Sequence, residues 1–238
     1  RQLREQGAVV TSEMEAFFSL CPCKMLAVTG SDGKTTTTTL ISEMLKADGK
    51  TVWLGGNIGT PLLDQADKME RDHAVVLELS SFQLMSMKKA PSVAVITNLS
   101  PNHLDWHRDF AEYVEAKCNL FKQQGRDDVL VLNYDNEPSR ELAEKAPGQV
   151  RFFSRKSLAL PGGVWLKNGE MLDNGEAIME IGDIRIPGLH NVENYMAAIA
   201  AVADMVDRET IRNFARSFGG VEHRIELVRT RRGVRWYN

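Results

Sequence analysis

The stretch "KMLAVTGSDGKTTTTTLISEMLKADG", residues 24–49, decides the fold. An apolar, strand-like run (Lys24–Thr29) enters a loop bracketed by Gly30 and Lys34. A helical segment follows, with Leu40, Ile41, Met44 and Leu45 on one face and Gly49 at its end. Between loop and apolar face stand Thr35 to Thr39, β-branched and mildly poor helix formers. A helix that opens on hydroxyls directly after Gly-Lys is understandable when hydroxyls serve as ligands. Backbone N–H groups of a glycine loop at a helix N-terminus cradle phosphates. In such a loop Lys34 reaches the terminal phosphates and Thr35 puts its hydroxyl on Mg²⁺. The spacing therefore predicts strand, phosphate loop and a helix over Thr35–Asp48, the later threonines turning to solvent or bonding back to helix carbonyls. The full GxxxxGK[ST] pattern is not met, since its first glycine falls on Val28. The plainer alternative is a glycine turn that only caps a helix.

Outward from this stretch, Val/Ile/Leu runs alternate with amphipathic segments. "TVWLGG" precedes "NIGTPLLDQADKM", "AVVLEL" precedes "SSFQLMSM", "SVAVITNL" precedes "FAEYVEAKCNLFKQQ", and "DVLVLN" precedes a helix over Glu137–Lys145. Continuous apolar strands with intervening helices predict an α/β fold, a mostly parallel P-loop sheet covered on both faces. Between about Gln149 and Pro187 the pattern changes to short strands with hairpin turns at Asn168-Gly169 and Asn174-Gly175. That region is expected to form a small antiparallel β subdomain beside the main sheet, with "IRIP" as its last strand. Two helices follow, through "HNVENYMAAIAAVADMV" and "TIRNFARSF".

The 238 residues are 43% hydrophobic and 26% charged with a net charge of −3, an ordinary globular composition. No basic block suggests nucleic acid, and "RTRR" (Arg229–Arg232) is read as a solvated turn. Three cysteines are too few for a disulfide framework, and no second half-site at zinc spacing accompanies Cys21 and Cys23. The apolar runs are strand-sized, so no membrane partner is expected. The chain begins at Arg1 and stops on "GVRWYN", and is read as a fragment of a longer protein.

Three further polar clusters fall at the carboxyl ends of expected strands, where open α/β sheets build their sites. "GGNIGT" (Gly55–Thr60) is a glycine turn. In "LELSSFQL", Glu78 interrupts an apolar strand, and burying it requires a cation such as Mg²⁺ beside the loop. "NLSPNHLDWH" holds His103, Asp105 and His107 at two-residue spacing: a transition-metal site, a histidine–aspartate hydrolase fragment or a polar loop; His107 is read as a surface group. Lys117 lies one step off the apolar stripe of Tyr113, Leu120 and Phe121, the place of a snorkelling surface lysine. Asn191 and Asn194 suit helix capping.

Together "TGSDGKTT", Glu78, "NHLD", "EAK" ending at Lys117, "LHNVEN" and His223-Arg224 resemble the Mur ligases, the ATP-dependent amide-forming enzymes of peptidoglycan precursor synthesis. "GGNIGTP" and "LELSSFQL" look most like the branch that adds D-glutamate to UDP-N-acetylmuramoyl-L-alanine. The tripeptide-synthetase type usually has histidine where this chain has Phe82, and relatives often have aspartate at Asn102. The resemblance implies a bacterial cytoplasmic monomer, with residues 1–20 a connector from an N-terminal UDP-binding domain, 21–224 the central ATP-binding domain and 225–238 the start of a C-terminal domain. It implies ATP contacts from Gly30, Ser31, Asp32, Gly33, Lys34, Thr35, Thr36, Asn191, Asn194 and Arg224, and contacts to UDP-N-acetylmuramoyl-L-alanine from Asn57 and Ser80. It further implies two Mg²⁺ ions held through Thr35, Glu78, His103 and Lys117, the last as a carbamate, with Lys34, Glu78, His103 and Lys117 catalytic. The rival readings are a folylpolyglutamate synthetase-like ligase and a non-ligase P-loop protein.

Overall fold

The structure is a computed structural model that describes residues 6–7, 11–101, 106–156, 162–220 and 227–237. β1 (Lys24–Thr29) is the pivot of one nine-stranded sheet. β2 (Val52–Gly56), β3 (Ala74–Glu78), β4 (Val93–Ile96), β5 (Val129–Asn133), β6 (Gln149–Ser154), β7 (Val164–Lys167), β8 (Glu170–Asp173) and β9 (Glu176–Glu180) complete it in the order β2-β3-β1-β4-β5-β6-β7-β8-β9. Pairing is parallel from β2 through β7 and antiparallel for β7–β8 and β8–β9. Alternate strand residues serve two cores, which is why these strands read as continuous apolar runs. Leu26, Val28, Val76, Val95 and Val131 pack with α2 (Lys34–Ala47) and α6 (Leu189–Val202). Ala27, Leu77, Ile96 and Leu132 face Phe17 and Phe18 of α1 (Glu13–Leu20) and Tyr113 of α4 (Phe110–Cys118). Among the described residues, the remaining helices between α1 and α6 are α3 (Ser81–Leu84), α4 and α5 (Glu137–Arg140); α7 (Arg208–Ser217) follows. Among the described residues, no helix is long and apolar enough to cross a membrane.

Several expectations need correction. The antiparallel strands are continuous with the main sheet, because β6 pairs parallel with β5 and the end of β6 carries β7. The hairpins fold back as predicted, with positive φ at Asn168, Gly169, Asn174 and Gly175, and lengthen that edge. "IRIP" is not a strand. "NIGTPLLDQADKM" forms only a 3₁₀ segment, Leu63–Lys68, since the Gly55–Pro61 loop must first double back against β2. The segment 137–145 is one short α turn continued by a 3₁₀ turn, Glu141–Lys145. "RTRR" is mostly strand: β10 (Leu227–Arg231) pairs antiparallel with β11 (Val234–Tyr237), and only Arg232 with Gly233 makes the turn.

Candidate nucleotide and metal site

β1 pairs with β3 on one side and β4 on the other, and the chain beyond its carboxyl end forms the loop. Gly30 leaves the strand at φ +148°, where a Cβ would stand 1.9 Å from Thr97 Oγ1. Gly33 caps α2 at φ +79°, and its Cβ would meet Asn194 Oδ1 at 2.3 Å. The loop is tied to the end of β4: Ser31 N–H donates to the Asn98 carbonyl (2.9 Å), Asp32 N–H to Asn98 Oδ1 (3.0 Å), and Thr97 Oγ1 to the Asp32 carbonyl (2.6 Å). The first helical bond runs from Thr37 N–H to the Gly33 carbonyl (2.9 Å), so the amides of Lys34, Thr35 and Thr36 precede it at the positive end of the helix dipole. That is an anion cradle. Gly33→Ala should lower stability by roughly 1–3 kcal/mol from left-handed strain and overlap with Asn194. Gly49→Ala, also left-handed but with nothing within 4 Å, isolates the strain alone. Thermal melts of the two variants check this; equal losses would show that the Asn194 contact is loose.

Beneath the cradle, Glu78 is 2% exposed and accepts from Thr35 Oγ1 (2.7 Å) and Asn57 Nδ2 (2.9 Å). A hydroxyl beside an oriented carboxylate is a hard-oxygen donor set of the kind Mg²⁺ takes, so the residues present fit the implied ion. Lys34 Nζ donates to the carbonyls of Gly30 (3.1 Å) and Ser31 (2.8 Å). Thr38 and Thr39 bond back to Lys34 and Thr35, while Thr37 reaches Asn194 (3.3 Å). The threonine run is thus shared between the Glu78 carboxylate, the core and the helix.

Lys117 is not a surface lysine. It is 1% exposed, and its Nζ donates to the Gly30 carbonyl (2.9 Å) and Thr29 Oγ1 (3.1 Å), 4.6 Å from the centre of the Tyr113 ring. Burial first, then the nearby Lys34 ammonium, lowers its pKa to about 7, with Glu78 opposing. His107 is not a surface group either: it is 2% exposed, with Nε2 2.9 Å from Ser81 Oγ. Asn191 and Asn194 do not cap α6, whose N-cap is Gly188. They lie buried inside it, Asn194 donating to Asn191 Oδ1 (3.2 Å) and Asn191 to the Pro187 carbonyl (2.7 Å). Ser80 caps α3 through a reciprocal pair with Gln83, and the exposed Asn57 spends an amide hydrogen on Glu78. His103 and Arg224 lie outside the described residues, as do Asn102 and Asp105. Sequence reasoning missed Thr29, Thr97 and Tyr113. The signal for the first two was a hydroxyl residue ending an apolar strand, in "KMLAVT" and "VAVIT".

The sequence model described as the Mur ligase middle domain matches residues 28–202. A UDP-N-acetylmuramoylalanine–D-glutamate ligase of Acetivibrio thermocellus is 56% identical over 238 residues, covering 99% of this chain and 51% of that protein. The protein of the same name from Ruminiclostridium cellulolyticum is 56% identical over 236 residues, covering 98% of this chain and 50% of its own. The chain therefore spans about half the length of the curated relatives it matches. Among solved structures, a UDP-N-acetylmuramate:L-alanyl-γ-D-glutamyl-meso-diaminopimelate ligase from Neisseria meningitides superposes with a TM-score of 0.69 at 20% identity, covering 93% of this chain and 74% of that one. That likeness is one of fold.

Proposed function

The chain belongs to the Mur ligase family, and on that premise we propose that it is the ATP-binding part of a ligase joining D-glutamate to UDP-N-acetylmuramoyl-L-alanine. The observation that carries this reading is the convergence of Lys34, Lys117 and the Thr35–Glu78–Asn57 chain on the loop after β1. The reaction passes the γ-phosphoryl group to the L-alanine carboxylate, giving an acyl phosphate. The D-glutamate amine then displaces phosphate and forms the amide. A triphosphate and a carboxylate repel, so bringing them together requires fixed positive charge and aligned N–H groups. The amides of Lys34–Thr36 and the Lys34 ammonium receive the phosphates, and Thr35 and Glu78 would hold the ion. Bound Mg²⁺ supplies charge neutralisation along the phosphate chain.

His103 and a carbamylated Lys117 would hold a second ion. A pKa of about 7 gives Lys117 on the order of a thousandfold more free amine at neutral pH than an ordinary lysine. The free amine adds CO₂ and releases a proton, turning a cation into an oxygen ligand. Asn191, Asn194 and Arg224 are assigned to the nucleotide, and Asn57 and Ser80 to the UDP-sugar substrate. A cytoplasmic monomer is part of the same reading, with 21–224 as the central domain between the connector 1–20 and the C-terminal start 225–238. "GGNIG" with "SSFQL" favours this branch over a folylpolyglutamate synthetase-like enzyme.

Phosphate release by the full-length protein, with UDP-N-acetylmuramoyl-L-alanine plus D-glutamate set against folate substrates, tests the substrate class. Stimulation by folate alone would overturn it. Lys34→Ala tests the loop: losing a charge-assisted contact should weaken Mg·ATP binding by about 1.5–3 kcal/mol in calorimetry, with the melting curve retained. Unchanged affinity would reduce the loop to a helix cap.

A further inference from the structure

The proposed chemistry leaves unused a chain of buried side chains that joins the phosphate loop to α3. His107 bonds Ser81 through Nε2, stacks on Phe82 (centroids 5.4 Å apart, planes at 13°) and meets Tyr113 edge-on (5.4 Å, 72°). Tyr113 is 1% exposed and sets its hydroxyl 3.0 Å from Ser31 Oγ in the loop. Ser31 is itself fixed, its Oγ accepting from Ser100 N–H at 2.9 Å. Ser81 opens α3 immediately after Ser80. Among the described residues His107 Nδ1 is buried without a hydrogen-bond partner. A ring buried only for packing would be better served by phenylalanine, since an unpaired buried nitrogen costs free energy. The cost is intelligible when the other nitrogen holds something in place.

We propose that His107 is a positioning residue that fixes α3 against the phosphate loop, through Ser81 on one side and Tyr113 on the other. The acyl-substrate side and the phosphate side are thereby held in one register. This rests on reading Gly30–Thr36 as the phosphate loop and the Ser80 turn as the acyl-substrate side. Register matters, because a misplacement of about 1 Å at a reacting centre can cost 10²-fold in rate.

Amide hydrogen exchange on the full-length protein, with and without ATP and Mg²⁺, tests the link without requiring turnover. Nucleotide should slow exchange both in residues 29–37 and in residues 79–88. His107→Phe keeps the aromatic stack and removes the bond to Ser81; it should keep loop protection and lose protection of 79–88. His107→Gln, whose amide nitrogen reaches about as far as Nε2, should restore it. Ser81→Ala cuts the same bond from the other side and serves if the phenylalanine variant melts early. In the full-length protein, His107→Phe should lower kcat roughly tenfold to a hundredfold with KM for ATP unchanged. Equal protection of 79–88 in wild type and both cut variants would overturn the proposal, as would wild-type protection confined to the loop. No protection of 29–37 in wild type would instead overturn the phosphate-loop reading, and the proposal with it.

Discussion

Ligation by the full-length protein should fall by about 10²–10³-fold or more when Lys117 becomes alanine, on the scale of removing one preorganised electrostatic group from a reaction centre. The expectation follows from where the side chain ends. Its Nζ lies 2.9 Å from the carbonyl of Gly30, the same carbonyl that accepts from Lys34 at 3.1 Å. Two ammonium groups on one carbonyl repel each other, and a divalent cation brought to that place would be repelled by both. The proposed carbamylation would remove one positive charge and supply oxygens in its place. Small carboxylates such as formate should therefore restore part of the activity of Lys117→Ala, by entering the space of the lost side chain. They should do nothing for Glu78→Gln, whose defect lies in the partner of Thr35. Amide product is followed by mass spectrometry across a formate titration. Normal turnover by the alanine variant in bicarbonate-depleted buffer would return Lys117 to a packing role.

Lys117 also shows where a sequence stops being legible. The strands were readable because each serves two cores and so carries apolar residues on both faces, and the loop was readable because Gly-Lys-Thr is local chemistry. The buried lysine was not. On α4 it stands four residues after Tyr113 and shares its face, but helical statistics send lysine heads to water. Its partners, Thr29 and Gly30, lie 88 and 87 positions away in the chain. His107 is the same case, since its slot is built by Ser81, Phe82 and Tyr113 from two other elements. Asn191 and Asn194 were recognised as polar residues at the start of a helix. Their burial depends on α6 packing against α2, which brings Asn194 to Thr37 and Gly33. The junction of β6 and β7 was hidden too, because whether a hairpin extends a sheet or stands apart is set by one short parallel contact, Phe153 and Ser154 with Val164 and Trp165.

The same lysine sets a pH dependence of stability. Its pKa is about 7 in the fold against an ordinary 10.5, lowered by burial and by Lys34 and raised in smaller part by Glu78. Between these values the unfolded chain holds a proton that the folded chain has released, so stability rises with pH across this window. Below about pH 7 both states carry the proton and the penalty of a buried ammonium is felt in full; above about 10.5 neither does and it is gone. At ~1.4 kcal/mol per unit the full swing is on the order of 5 kcal/mol, large for a domain of marginal stability. Lys117→Met keeps the stem, removes the titrating group and should flatten this part of the profile. Lys34→Met removes the neighbouring charge and should move the lower edge of the window upward. Urea unfolding of the three proteins from pH 6.5 to 9.5, in metal-free buffer purged of CO₂, reads the slopes directly. A wild-type profile parallel to that of Lys117→Met would mean that the amine is protonated throughout, and that free base is not what the folded site offers to CO₂.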